Sequence, residues 1–564
     1  MNPLLEVKNL CISFNNSGKA VDNLSFSLPV GQTLGIVGES GSGKSVTGLA
    51  ITRLLPKTTN ISGQILAPHN WLDNAADDYI DLLQLPEKSM IKLRGKRISF
   101  IFQEPMTALN PSMHCGKQIE EILKLHKIVE KSNLIERQLQ LLKDVQLPNP
   151  EIVLKKYPHQ LSGGQRQRLM IAMAMAANPD IIIADEPTTA LDVTVQFEIL
   201  ELLKQMKQER NLTMIFISHD LNVISHIADN VLVMRHGNMM EQGTVRQVMN
   251  NPQHLYTKAL LESKPSFHSR PVKLPTVDDF IDEKPFYKEE ESIELRKEKQ
   301  NKIYNARPLI EISNLNVGFS LKSLFNKQQT LILRGIDLKI WKGETLGLVG
   351  GSGSGKTTLG RTLMQLIEGY QGNIKYEGKK IKDFSKNEML KFRQKVQLVF
   401  QDPYSSLNPY QTIGQSITEP IIVHNLYKNN SEVRNRAIEL MQMTRIQPEW
   451  YSRYPHQLSG GQRQRVVIAR ALALNPEVLI CDESVSALDV SVQAQVLNLL
   501  NELKEKIGLT YIFISHDLAV VKYMSDRIVV LDKGLIVEDN EADELCQNPA
   551  HPYTQRLLSA AKME

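Results

Sequence analysis

The strongest constraint on this chain is a duplication. The run Leu161-Ser162-Gly163-Gly164-Gln165-Arg166-Gln167-Arg168 recurs far downstream as Leu458-Ser459-Gly460-Gly461-Gln462-Arg463-Gln464-Arg465. Ahead of each copy stands a glycine-rich octet, Gly38-Glu39-Ser40-Gly41-Ser42-Gly43-Lys44-Ser45 and Gly350-Gly351-Ser352-Gly353-Ser354-Gly355-Lys356-Thr357. Behind each come an acidic pair, Asp185-Glu186 and Asp482-Glu483, and a histidine, His219 and His516, within Phe-Ile-Ser-His-Asp-Leu. At 564 residues the chain exceeds what one hydrophobic core serves, so the repeat reads as two similar domains.

Short β-branched runs alternate with helical patterns in both copies, which predicts an α/β fold around a largely parallel sheet. Thr33 to Val37 and Thr345 to Val349 are strands entering the glycine-rich turns. Asp180 to Ala184 and Glu477 to Ile480 are strands ending at the acidic pairs. Ile98 to Phe102 and Val396 to Phe400 lead to Gln103 and Gln401, and Thr213 to Ile217 and Thr510 to Ile514 lead to the histidines.

The pattern G-x-x-x-x-G-K-[ST] between a strand and a helix is a phosphate cradle. Its glycines let backbone N–H groups turn inward, and the helix N-terminus adds the positive end of its dipole. Both octets are therefore expected to bind ATP, with Lys44 and Lys356 on the β- and γ-phosphates and the hydroxyls of Ser45 and Thr357 on Mg²⁺. Asp185 and Asp482 suit a Mg²⁺ site, and Glu186 and Glu483 suit polarising the attacking water. The amides of Gln103 and Gln401 suit Mg²⁺ or water, and the imidazoles of His219 and His516 suit a γ-phosphate. Taken singly, a strand-end glutamine or histidine is more often structural; recurrence in the same order gives the set its weight.

Bulk properties narrow the class. Hydrophobic content of 42% and charged content of 23% are those of an ordinary globular protein. A net charge of +4 gives no support to a nucleic-acid-binding surface. Cys11, Cys115, Cys481 and Cys546 form no CxxC, which predicts reduced thiols rather than disulfides or a zinc site. The start lacks a basic region followed by an apolar one, and no uninterrupted apolar run reaches the ~18 residues of a membrane span. Work at a membrane would be done from its side.

The repeat places the boundaries at 1–262, 263–307 and 308–564, two domains around a linker. Rich in Pro, Lys and Glu, the linker reads as a solvated tether with a short charged helix from Ile293 to Lys302. The stretch from lysine to glutamine is longer in the first copy, and the extra Trp71 to Tyr79 reads as a lengthened β-hairpin.

The ordered set of phosphate loop, glutamine, LSGGQ, acidic pair, Ala-Leu-Asp and Ser-His-Asp resembles the ATPase subunits of ABC transporters, over nearly the whole chain apart from the linker. The resemblance implies two tandem P-loop NTPase domains, each with a parallel-sheet core, an antiparallel β-subdomain and a helical subdomain. It also implies head-to-tail composite sites. Lys44, Ser45, Gln103, Asp185, Glu186 and His219 would work with Ser459, Gly460, Gly461 and Gln462. Lys356, Thr357, Gln401, Asp482, Glu483 and His516 would work with Ser162, Gly163, Gly164 and Gln165. Asp192 and Asp489 match the family's D-loop, and Phe14 and Phe319 are candidates to stack on adenine or to be ordinary core.

Gln401-Asp402-Pro403-Tyr404-Ser405-Ser406-Leu407-Asn408-Pro409 and the terminal His551-Pro552-Tyr553-Thr554 resemble the peptide/nickel importer branch. That likeness implies two separate membrane permease subunits, engaged around Pro105 to Pro111 and Pro403 to Pro409, and an extracytoplasmic binding protein. It implies peripheral attachment at the cytoplasmic face of the inner (cell) membrane, with no nucleic acid and no homodimer required. Peptides are the expected cargo, with nickel, glutathione and peptide-like antibiotics open. The alternatives are a soluble tandem ATPase acting on ribosomes or DNA, and an exporter ATPase. A lone Cys546 in the tail predicts no iron–sulfur cluster.

Overall fold

The computed structural model describes residues 3–14, 18–72, 79–189, 191–281, 289–323, 326–400, 402–486 and 488–562. It divides into two units, one built from the first copy up to Leu261 and the other beginning at Glu262.

In the first unit the run Thr33–Val37 is buried throughout, as an apolar strand covered on both faces must be. Gly35 lets the helix Leu221–Ile227 close on one face: a Cβ there would sit 2.4 Å from Ile224. Gly48, in the helix Lys44–Ile51, packs near Ile183 and Ile217 on the other. Among the described residues the sheet runs in the order Asn238–Thr244, Asn230–Arg235, Thr33–Val37, Thr213–Ser218, Ile181–Asp185, Ile98–Ile101. Its pairings are parallel except for the hairpin at the first-named edge. The strands leading to the phosphate loop, the histidine, the acidic pair and the glutamine thus lie side by side, with their carboxyl ends on one edge.

A second, antiparallel sheet pairs Lys19–Leu28, Leu5–Phe14, Thr59–Pro68 and Tyr79–Asp81. Its last pairing, of Thr59–Pro68 with Tyr79–Asp81, brackets the extra residues expected there, of which 73–78 lie outside the described residues. The helices Cys115–Leu125, Leu134–Asp144 and Pro150–Lys155 precede the helix Gly163–Met175, which begins inside the LSGGQ run.

The second unit repeats the plan. Its six-stranded sheet runs Val396–Val399, Val478–Asp482, Thr510–Ile514, Thr345–Val349, Arg527–Asp532, Leu535–Glu541. The antiparallel sheet is centred on Ile310–Ser323, and its hairpin closes on the two-residue strand Lys379–Lys380. In both units the aspartate of the acidic pair is the last strand residue, one position beyond the strand end that the sequence pattern placed at Ala184 and two beyond the one it placed at Ile480.

The segment between the copies departs from expectation. Its helix is present as Ile293–Tyr304, but the segment is docked on the second unit rather than solvated. Leu274 is buried in that unit's core, and its N–H and C=O are both held by the Asn498 amide at 2.9 and 2.8 Å. Arg270 donates to the carbonyls of Tyr523 (3.0 Å) and Ser525 (2.6 Å). Arg296 is buried against Asp543 and Glu541, the latter at 2.6 Å. Composition hid this because a paired charge and a solvated charge look alike in sequence, and a single leucine in a Pro/Lys-rich stretch carries no periodicity. Among the described residues no helix is long and apolar enough to cross a membrane.

If Leu274 anchors the segment, Leu274→Ala should cost about 2–5 kcal/mol in denaturant unfolding of the second unit. A change within about 0.5 kcal/mol, the range of ordinary surface substitutions, would mean the segment is only laid on the surface.

Candidate functional site

Each phosphate loop follows the buried central strand and delivers its lysine at the first turn of a helix whose N-cap is a left-handed glycine, Gly43 (φ 99°) or Gly355 (φ 107°). Both lysines are buried. Lys44 Nζ donates to the carbonyls of Gly38 (2.6 Å) and Glu39 (2.9 Å), and Lys356 Nζ to those of Gly350 (2.7 Å) and Gly351 (3.0 Å). Burial lowers the pKa of Lys356. The hydroxyls of Ser42 and Ser354 are buried in the loops without a hydrogen-bond partner among the described residues.

The next residue of each loop reaches across the sheet. Ser45 donates to Asp185 at 2.9 Å and Thr357 to Asp482 at 3.0 Å. Burial pushes the Asp185 carboxyl up to about 6, against the serine hydrogen bond, and raises Asp482 in the same way. A hydroxyl beside a buried carboxyl is an oxygen donor set suited to a hard divalent cation.

Glu186 and Glu483 follow in left-handed backbone, φ 46° and 48°, a conformation uncommon outside glycine. Each is held there by donating its N–H to the histidine-bearing strand, at Ile217 and Ile514 respectively, both 2.9 Å. This turn aims the Glu186 carboxylate at three partners: Gln103 Nε2 (3.0 Å), Thr189 Oγ1 (2.8 Å) and His219 Nδ1 (3.2 Å). Burial would raise its pKa, but the contacts with His219, Thr189 and Lys44 prevail and bring it down to about 2. In the second unit Glu483 lies 3.7 Å from His516 Nδ1; burial opposes charge on that imidazole, yet the nearby Glu483 raises its pKa overall. Gln401 lies outside the described residues.

Thr189 is a contact that sequence reading missed. Its counterpart Ser486 donates instead to the Glu483 backbone carbonyl at 2.9 Å, so the two carboxylates are held differently. Two tail tyrosines, also missed, reach the phosphate loops: Tyr256 and Tyr553. The terminal His551-Pro552-Tyr553-Thr554 stood out in the sequence, but nothing in it pointed to the loops.

The LSGGQ runs form helix starts. Ser162 and Gln165 cap one another across the first turn of Gly163–Met175, and Ser459 and Gln462 do the same for Gly460–Leu472. Ser162 and Ser459 are exposed, which leaves the positive helix ends accessible to an anion. The second glycine of each run is required by packing: a Cβ on Gly164 would lie 2.6 Å from Val195, and one on Gly461 2.1 Å from Val492. Phe14 is half-buried against the core cluster of the first unit, and the side chain of Phe319 lies outside the described residues. Beside the glutamine positions, Phe102, Met106, Tyr404 and Tyr410 are exposed.

The ABC transporter family model matches residues 21–189 and 333–486, once in each copy. The model of the oligopeptide/dipeptide transporter C-terminal region matches 240–287 and 537–563. The chain is 44% identical over 570 residues to the glutathione import ATP-binding protein GsiA of Salmonella choleraesuis, covering 99% of this chain and 89% of the relative. To the protein of that name in Pectobacterium atrosepticum it is 43% identical over 573 residues, with 99% and 89% covered. Among solved structures it is similar to a dimeric ATP-binding cassette in a post-hydrolysis state bound to ADP and Pi. That likeness is 30% identical with a TM-score of 0.38, covering 41% of this chain and 98% of the other.

Packing at the helix starts separates neighbouring glycines. Gly164→Ala and Gly461→Ala should each lower stability by about 1–3 kcal/mol through overpacking. Gly163→Ala and Gly460→Ala meet only ordinary contacts, at 3.6 and 3.8 Å, and should leave the Tm close to wild type. Thermal melts of the four variants check the contrast.

Proposed function

This chain belongs to the ABC transporter family, and on that premise we propose how its two copies divide the work. It is an ABC-type ATPase, homologous over nearly its whole length to importer ATP-binding subunits. In each copy the loop lysine, Lys44 or Lys356, holds the β- and γ-phosphates of ATP. Ser45, Asp185 and Gln103 hold Mg²⁺ in the first copy, and Thr357, Asp482 and Gln401 in the second; the ion supplies neutralisation of the phosphate charge. Glu186 and Glu483 polarise the attacking water, and His219 and His516 contact the γ-phosphate.

The carrying observation is the Glu186 carboxylate turned to His219 beside the Ser45–Asp185 pair, with Glu483, His516, Thr357 and Asp482 arranged on the same plan. The helix starts at Ser162 to Gln165 and Ser459 to Gln462 complete the opposite copy's site, a reading supported by intact motif sets on both sides. Asp192 and Asp489 serve as the D-loop residues. ATP binding closes the two copies and hydrolysis reopens them.

This cycle drives import through two integral membrane permease subunits, at the cytoplasmic face of the membrane, with an extracytoplasmic binding protein delivering cargo. The exposed apolar residues beside Pro105 and Pro403 support the permease contact. Glutathione or a similarly small peptide is the cargo supported by the relatives' names and by the C-terminal regions. Relatives named for import give no support to a role on ribosomes or DNA.

Glu186→Gln and Glu483→Gln should each lower steady-state ATP turnover of the full chain by about 10²-fold or more. Near-wild-type turnover from either would overturn the two-site reading. Membrane vesicles carrying the chain and its permeases should take up labelled glutathione in an ATP-dependent way; failure with glutathione but uptake of other peptides would redirect the cargo assignment.

A further inference from the structure

The two tails carry the same lock. In the first unit Glu241 accepts the N–H groups of Gln253 (2.8 Å) and His254 (3.1 Å), and His254 Nδ1 accepts the N–H of Tyr256 at 3.1 Å. In the second, Glu538 accepts those of Ala550 (2.9 Å) and His551 (3.0 Å), and His551 Nδ1 accepts the N–H of Tyr553 at 3.2 Å. These bonds pin the start of the helices Leu255–Glu262 and Pro552–Lys562 and aim one phenol from each. The Tyr256 hydroxyl accepts the N–H of Glu39 at 3.3 Å, and the Tyr553 hydroxyl accepts that of Gly351 at 2.7 Å.

Both phenols meet the same peptide of the octet, the one joining its first and second residues. The carbonyl of that peptide, Gly38 or Gly350, accepts the loop lysine at 2.6 or 2.7 Å. One peptide plane is therefore gripped at both ends, by the lysine and by the tail. The residue before it is a glycine at φ 156° or 152°, where a Cβ would fall 2.1 or 2.2 Å from the carbonyl oxygen of Met234 or Leu531. Glycine places little steric restriction on rotation of that plane, so its hydrogen bonds set its orientation.

We propose that Tyr256 and Tyr553 are positioning residues of the phosphate loops, each fixing the peptide that parks the loop lysine and so setting how tightly the loop takes MgATP. The assignment rests on the reading of these loops as ATP sites, and makes the C-terminal regions working parts of those sites. Losing the phenol removes that hydrogen bond from the loop N–H and loosens the hold on the peptide, so binding must reorder it.

Tyr256→Phe and Tyr553→Phe, made singly in the full chain, test this by kcat, KM for MgATP and Tm. KM should rise about 2- to 10-fold, the size of one hydrogen bond, with kcat falling by less than KM rises and Tm held. The rise should be larger for Tyr553→Phe, whose contact is shorter. Should one variant fold poorly, the other copy carries the test, and Glu538→Gln, which loosens the tail anchor but spares the phenol, must shift KM the same way. A merely structural tyrosine would lower Tm and the active fraction at unchanged KM; that result, or wild-type KM in both variants, overturns the proposal. A wild-type chain without ATPase activity would instead defeat the reading on which it rests.

Discussion

The order of four buried parallel strands governs each unit. Because they are parallel and adjacent, the phosphate loop, histidine, acidic pair and glutamine all emerge from one edge of one sheet. The Ser45–Asp185 and Thr357–Asp482 contacts tie strands that are not neighbours, across the histidine-bearing strand between them. A register slip in any of these pairings would turn the strand-end side chains to the other face and separate the groups.

Adjacent carboxylates on such an edge acquire opposite tendencies. Asp185 is pushed up to about 6 by burial with a single hydroxyl donor, whereas Glu186 is brought down to about 2 despite burial, by His219 and Thr189. The left-handed turn at Glu186 separates their surroundings: one carboxyl stays with the phosphate loop, the other swings to the histidine. The aspartate thus stays beside the phosphate-loop hydroxyl while the glutamate faces the imidazole. The second unit keeps the turn, with Glu483 3.7 Å from His516 and Ser486 bonded to the Glu483 backbone carbonyl.

Regions outside the motif set are drawn into the same architecture. The segment after Leu261 docks on the second unit through Leu274, Arg270 and Arg296, and the tails meet the loops through Tyr256 and Tyr553. In each case directional bonds add to buried apolar contacts, made by Leu274 in the segment and by Leu260, Leu557 and Leu558 in the tail helices. Stretches rich in Pro, Lys and Glu can bind their own protein when each charge finds a partner.

From the sequence alone came the doubled α/β plan, the strands that enter each motif, and the glycine, lysine, hydroxyl and carboxylate positions. These are legible because phosphate cradles demand glycine and lysine at fixed spacing, and because buried parallel strands read as short apolar runs. Thr189, the docking of Arg270, Leu274 and Arg296 and the tail tyrosines were not legible. Each depends on a contact between residues distant in the chain or on which of several rotations a side chain takes, and local spacing carries no record of either. Tertiary structure alone decided that Glu186 turns from its neighbouring aspartate toward His219, because the turn is held by a hydrogen bond to the adjacent strand.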